Sequence, residues 1–246
     1  MGKYRKSRMF HLVTRTWNPI TGCLHGCLYC WSRKLVEERL KYRTKKYREG
    51  FKPKFHVEEL KKSFRPNEFV FVSDMGDAFG WWVPDEWILR VLDHIMKFPK
   101  TTFLLLTKNP KRYIHFMGIF KKADNIILGC TIETNDVELY TSNNISQAPT
   151  PDKRISIMRY LSMRGFKTMI SIEPILDFKL DSFVSSIKGI NPMFVYVGYD
   201  NYNNRLPEPP LNKTLKLIRR LREEGILVYK KTVRRAWFES RYTNEK

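Results

Sequence analysis

The sequence predicts an α/β fold: a partial TIM-like (β/α)6 barrel of parallel strands, with a seventh strand available at the C-terminal end. Three observations predict it. Continuous apolar runs of strand length recur along the chain, as in parallel strands buried on both faces. Stretches with helical periodicity and helix start and stop signals lie between them. Polar or ionisable residues follow the runs, where a barrel of this kind gathers its chemistry.

The strand candidates are residues 9–14, 69–73, 103–107, 126–132, 168–172, 194–198 and 226–229. The first leads into a cysteine-rich loop. Residues 84–97 begin Pro-Asp-Glu, a good helix start, and place Trp87, Val91, Leu92, Ile95 and Met96 on one face. Thr150, Pro151 and Asp152 open a second helix that runs to Arg164 and meets Gly165 at a C-cap position. Residues 211–224 form a third, closed by Gly225. Repeated βα units imply a parallel sheet with right-handed crossovers. With 246 residues, 42% of them hydrophobic, the chain can bury a full core. No long linker or internal repeat interrupts it. The expectation is one domain over residues 1–246, with a basic N-terminal arm and a basic C-terminal extension.

The strand ends are polar in register. Ser73-Asp74-Met75-Gly76-Asp77 follows the second run, Thr107-Lys108-Asn109-Pro110 the third and Glu133-Thr134-Asn135 the fourth. Glu173-Pro174 follows the fifth and Tyr199-Asp200-Asn201 the sixth. Turn chemistry or a helix cap explains any one of these. A binding module has no need of such a rim of carboxylates, and the recurrence favours an enzyme.

The most specific signal is Gly22-Cys23-Leu24-His25-Gly26-Cys27-Leu28-Tyr29-Cys30-Trp31, with C-x3-C-x2-C spacing. Three thiolates so close can ligate three corners of one [4Fe–4S] cube and leave the fourth iron open. Zinc is the rival: it prefers four N/S ligands, and His25 or His11 could supply the fourth. No second cysteine pair of the kind that marks zinc knuckles occurs. Four cysteines, three of them crowded, do not suit a disulfide framework. Cys130, in an apolar run, reads as a small buried hydrophobe. The N-terminus has charge without a following apolar region, and no uncharged apolar run approaches the roughly eighteen residues of a membrane helix. With reduced thiols, these features predict a cytoplasmic protein without membrane attachment.

The cysteine loop resembles that of the radical S-adenosylmethionine (radical SAM) enzymes. Further landmarks are Trp17-Asn18-Pro19-Ile20-Thr21-Gly22-Cys23, Ser73-Asp74-Met75, Leu106-Thr107-Lys108-Asn109-Pro110, Gly129-Cys130-Thr131-Ile132-Glu133 and Ser171-Ile172-Glu173-Pro174. Together they resemble a little-characterised three-cysteine radical SAM family of prokaryotes and phages, distantly similar to spore photoproduct lyase. The match runs from about Thr16 to Tyr199. The chain departs from the pattern after the sixth strand, where the family tends to carry a Gly-Gly-Glu-Ser-Gly-like loop and this sequence reads Gly198-Tyr199-Asp200-Asn201. The family's substrate is therefore not carried over.

The resemblance implies two cofactors, a [4Fe–4S] cluster on Cys23, Cys27 and Cys30, and S-adenosyl-L-methionine at the open iron. It implies reductive cleavage to a 5′-deoxyadenosyl radical, hydrogen abstraction from a substrate, and an electron-donor protein as partner. It also implies roles at the cofactor. Tyr29 packs beside the adenine, or simply in the core. Ser73 and Asp74 sit where the methionine ammonium binds, or cap the following loop. Glu133 accepts the ribose hydroxyls, and Lys108 pairs with the methionine carboxylate or a substrate phosphate. Glu173 meets cofactor or substrate, or makes a fold-supporting salt bridge.

The net charge of +20, from 45 basic and 25 acidic residues, draws polyanions, and nucleic acid (RNA or DNA) is the expected partner. The cations cluster. Lys3, Arg5, Lys6 and Arg8 form one block. A second spans residues 33–65 and includes Lys41, Arg43, Lys45, Lys46 and Arg48. A third holds Lys230, Lys231, Arg234, Arg235 and Arg241 with Trp237, Phe238 and Tyr242. Cations interleaved with aromatics suit backbone contacts plus stacking on an unpaired base. An exposed helix surface, with Val36, Leu40 and Tyr47 as its buried face, is the other reading of the second block. The leading function is radical SAM chemistry on a nucleic acid, as RNA modification or DNA lesion repair. The alternatives are a peptide or small-molecule substrate, and a zinc-stabilised nucleic-acid binding module without catalysis.

Overall fold

A computed structural model describes residues 10–239. The N-terminal block with Lys3, Arg5, Lys6 and Arg8, and Arg241 and Tyr242 of the third block, lie outside the described residues. The strands are β1 (Arg15–Trp17), β2 (Ile20–Thr21), β3 (Lys54–Phe55), β4 (Phe69–Val72), β5 (Thr102–Thr107), β6 (Ile126–Thr131), β7 (Thr168–Ile172), β8 (Phe194–Val197) and β9 (Val228–Lys230). The helices are α1 (Trp31–Leu35), α2 (Lys41–Arg43), α3 (Asp85–Met96), α4 (Met117–Phe120), α5 (Val137–Ser142), α6 (Pro151–Met163), α7 (Leu180–Ile190) and α8 (Leu211–Glu223). A π-helical turn, Val36–Leu40, joins α1 to α2. Seven strands in the order β1-β4-β5-β6-β7-β8-β9 make the main sheet, and the pairs β1/β4, β4/β5, β7/β8 and β8/β9 are parallel. This is the α/β, partial TIM-like barrel class that the apolar runs predict. β2 and β3 form a separate antiparallel pair.

The chain divides into two compact units. One holds Cys30–Gly129 and the chain before Cys27; the other holds Cys27–Tyr29 and the chain from Cys130 on. In the first unit β4 and β5 carry the continuous apolar runs Phe69–Val72 and Thr102–Thr107, and their neighbour is short. The first strand is not residues 9–14. The Val13 amide bonds back to the Phe10 carbonyl at 3.0 Å and makes a turn. Pairing with β4 begins only at Arg15, opposite Val70. α3 starts after Pro84 with Asp85 and Glu86 in its first turn, where carboxylates suit the helix dipole. It buries Ile88, Val91, Leu92 and Ile95, while Met96 faces outward, so the buried stripe is rotated from the expected one. Trp87 stacks on Phe55, with centroids 5.7 Å apart.

In the second unit β7 and β8 are buried along their whole length. The last strand starts two residues later than the apolar run. The Ile226 amide closes the end of α8 on the Leu221 carbonyl at 3.0 Å, with Gly225 at φ +78 supplying the left-handed turn. α6 is unusual in its buried stripe. Pro151, Arg154, Ile155, Met158 and Leu161 follow helical spacing, and one of them is an arginine.

Candidate functional site

The cysteine loop is fixed on the first-unit side by two glycines. Gly22 has φ +80, and a Cβ there would fall 2.2 Å from the Lys52 carbonyl oxygen. Its amide donates to the Met75 carbonyl at 2.9 Å, and it forms a bridge with Gly76, where a Cβ would fall 2.7 Å from the Gly22 oxygen. Only glycine fits either position. The next residue, Cys23, is therefore delivered beside the loop that leaves β4. Its Sγ accepts the His25 amide at 3.5 Å. His25 is itself anchored, its Nε2 3.0 Å from the buried Asp77 carboxylate. Asp77 also accepts Thr107 Oγ1 at 2.7 Å and the amides of Lys108 at 2.9 Å and Phe79 at 3.0 Å. Burial pushes this carboxyl up, and the bonds from His25, Lys108 and Thr107 outweigh burial and hold it below the usual carboxylate range.

Cys30 caps α1 and its Sγ accepts the Arg33 amide at 3.4 Å; Arg33 Nη2 donates to the Cys23 carbonyl at 3.0 Å. These N–H···S bonds fix the direction of two of the sulfurs on the loop. Cys23 is buried and Cys27 and Cys30 are half-buried, and none is in a disulfide.

Ser73 and Asp74 stand at the end of β4. Ser73 has φ +59, uncommon for a residue with a side chain, and its hydroxyl is buried with no partner. The Asp74 carboxylate accepts Asn18 Nδ2 at 2.6 Å, and Asn18 Oδ1 accepts the Met75 amide at 3.0 Å. Burial raises the Asp74 carboxyl. Asn18 thus clamps Ser73-Asp74-Met75 from the Trp-Asn-Pro run, a role sequence reasoning missed. Its partner lies 56 residues away. Lys46, read as a phosphate contact, donates to the Asn18 carbonyl at 2.8 Å and to Glu59 at 2.7 Å. It ties down this clamp and is not a free surface cation.

On the second-unit side, Leu28 donates its amide to the Ile145 carbonyl at 3.1 Å, and Cys27 Sγ lies 3.1 Å from Ser146 Oγ. The Tyr29 hydroxyl donates to Glu133. Glu133 is wholly buried and pairs with Arg154 Nη1 at 2.7 Å, so it does not line an open rim as the strand-end pattern predicts. Arg154 also donates to the Thr131 carbonyl at 2.8 Å, the Pro149 carbonyl and the Tyr140 hydroxyl. The signal for Arg154 was its phase on the buried stripe of α6.

Glu173 pairs with Lys231, the salt-bridge reading of that residue, and so Lys231 is not free for phosphate either. Arg234 binds Glu208 in fork fashion at 2.7 and 2.9 Å and the Asp200 carbonyl at 2.7 Å. Trp237 is half-buried with Nε1 bonded to the Leu206 carbonyl at 2.7 Å. Lys41 pairs with Glu37 at 3.0 Å. Arg43, Lys45, Arg48, Lys230 and Arg235 are exposed, with no carboxylate at ion-pair distance among the described residues. Val36 is buried, and Leu40 and Tyr47 pack against it with Cys23, Phe51 and Met75, as the helix-surface reading of this block has it.

The donor set fits a cluster and its cofactor. Three thiols outside any disulfide sit on a loop with amide hydrogen bonds to two of the sulfurs, and the buried Ser73 hydroxyl, which has no partner, stands beside the half-buried Asp74 carboxylate. Among the described residues no three His, Cys, Asp or Glu side chains converge on a single ion. The thiolates of a cube attach to separate irons and need not converge.

The fold resembles those of spore photoproduct lyase and of SuiB. Spore photoproduct lyase with dinucleoside spore photoproduct aligns with a TM-score of 0.58 at 12% identity, over 86% of this chain and 75% of that one. The same enzyme with bound AdoMet and dinucleoside spore photoproduct aligns at 0.54 and 11%, over 85% and 60%. SuiB of Streptococcus suis bound to its precursor peptide SuiA aligns at 0.54 and 13%, over 88% and 48%. Residues 9–179 match the family described as "Protein of unknown function (DUF5131)", and the chain belongs to that family. An uncharacterised protein of Methanocaldococcus jannaschii, MJ0683, is 26% identical over 166 residues, which is 67% of this chain and 61% of that protein. The chain thus spans under two thirds of that relative. Among the described residues no helix is long and apolar enough to cross a membrane.

Proposed function

We propose that this protein is a radical SAM enzyme whose [4Fe–4S] cluster is held by Cys23, Cys27 and Cys30, with S-adenosylmethionine at the open iron. The observation that carries this is the C-x3-C-x2-C loop, fixed by Gly22 and Gly76, in a chain with the radical SAM fold. When bound, cluster and S-adenosylmethionine supply one-electron chemistry for hydrogen abstraction. The chain's own residues orient them. The orphaned Ser73 hydroxyl and the Asp74 carboxylate receive the methionine ammonium, since an anion and a free acceptor suit a cation. Lys108, its amide anchored on Asp77, pairs with the methionine carboxylate. Tyr29 packs beside the adenine, and Glu133 works behind it rather than on the ribose, because both its oxygens are engaged. One-electron chemistry requires an electron-donor protein. The crowded thiols of the cysteine loop support a cytoplasmic location.

The substrate we propose is a nucleic acid, as RNA modification or lesion repair. The support is the +20 charge, the exposed cations Arg43, Lys45, Arg48, Lys230 and Arg235, and the likeness to a fold that holds a dinucleoside photoproduct. SuiB, which binds a precursor peptide, favours a peptide as the second reading. Equilibrium binding to tRNA, single-stranded DNA and duplex DNA across a salt series separates them. Affinity should fall with a log–log slope of about −0.7 to −0.9 per phosphate contacted. Neutral substitution of Arg43, Lys45 and Arg48 should flatten the slope. Absence of binding to all three at low salt would transfer the proposal to a peptide.

A further inference from the structure

We infer that Arg154 is a positioning residue for the cysteine loop, acting through Glu133 and Tyr29. For one of its two readouts this rests on the cluster reading above. Residues Cys27–Tyr29 belong to the second unit, and three ties hold them there: the Leu28 amide on Ile145, Cys27 Sγ beside Ser146, and the Tyr29 hydroxyl on Glu133. The first two run to a loop segment. The third runs to the end of β6, inside the core, and so is the rigid one.

That tie depends on Arg154. A lone carboxylate in a dry interior is too costly to remain charged. Arg154 Nη1, 2.7 Å away, supplies the counter-charge Glu133 needs there, with both side chains fully buried. Arg154 has no freedom of its own. Its planar fork reaches the Thr131 and Pro149 carbonyls and the Tyr140 hydroxyl as well as Glu133. Tyr140 packs in one apolar cluster with Ile145, Leu176 and Leu206, against which Tyr29 also rests. The arginine, the ring under the loop and the loop's amide acceptor are therefore one connected body. A lysine would keep the charge and lose the fork.

Such outer groups set ligand orientation and tune metal affinity. The test uses the full chain with Tyr29→Phe, Arg154→Lys and the double variant. Tyr29→Phe removes one hydroxyl from a packed ring and should keep the parent's circular dichroism spectrum. In the apoprotein, alkylation of Cys27 followed by mass spectrometry should quicken by roughly two- to tenfold, the worth of one hydrogen bond. After anaerobic reconstitution, iron retention against a chelator should fall by about 10–100-fold. Arg154→Lys should do the same alone and add nothing in the Tyr29→Phe background, because both act on one path. Equal effects of Arg154→Lys in both backgrounds, or unchanged Cys27 reactivity in Tyr29→Phe, would overturn the inference. Should the parent take up no iron, the cluster reading fails, and the Cys27 alkylation cycle still decides the role of Arg154.

Discussion

Replacing Cys23, Cys27 and Cys30 together by alanine should leave a folded protein that takes up no iron on anaerobic reconstitution. The fold should survive because the loop's backbone is held by groups other than the sulfurs: the Gly22–Gly76 contact, His25 on Asp77, and the Leu28 amide on Ile145. Each thiolate serves one iron, so losing all three leaves the cube without a protein ligand. Cys130→Ala should keep the parent's iron content. Cys130 is fully buried in β6, with its thiol turned to the Thr131 carbonyl, and is not part of the loop. Iron and sulfide assays with circular dichroism check both. Retention of iron by the triple variant would move the ligands elsewhere in the chain.

Glu133→Ala should cost about 3–5 kcal/mol of stability, the loss expected when one partner of a buried ion pair is removed and the other stays charged. Solvent does not screen this pair, because both side chains are at 0% exposure. For a chain of this size the loss corresponds to a fall of roughly 6–20 °C in Tm. Arg154 would be left with carbonyls and the Tyr140 hydroxyl and no counter-charge. Pairing the change with Arg154→Met should recover part of the loss, since it removes the uncompensated charge that Glu133→Ala leaves buried. Thermal and urea unfolding measure this. A Glu133→Ala variant as stable as the parent would show that the pair contributes little.

The central strands were legible because they are buried on both faces, which leaves an unbroken apolar run. β4, β5, β6, β7 and β8 fall within a residue or so of their expected bounds at each end. β1 was not legible in place. It is three residues long, two of them half-exposed, and its position is set by pairing with β4. α7 escaped notice although Phe183, Val184, Ile187 and Ile190 follow helical spacing, because no strong start signal precedes it. At the candidate site the spacing singled out the three cysteines, whose ligand role is the proposal made above. Asn18 and Arg154 were not, since each acts on a partner far along the chain. Nor does charge reveal pairing. Lys46, Lys231 and Arg234 look like Lys45, Lys230 and Arg235 in sequence, yet the first three are bound to carboxylates. Glu133 looked like a rim residue because a polar group after a strand reads the same whether it faces a cavity or a buried arginine.

The most direct measurement is product analysis of the reconstituted protein under a strong reductant with S-adenosylmethionine. About four irons per chain are expected, for three thiolates and one open corner. 5′-Deoxyadenosine and methionine should form, and less of both in Asp74→Ala at unchanged iron content. Stoichiometric zinc with no iron uptake, or a full cluster that yields no 5′-deoxyadenosine, would contradict it.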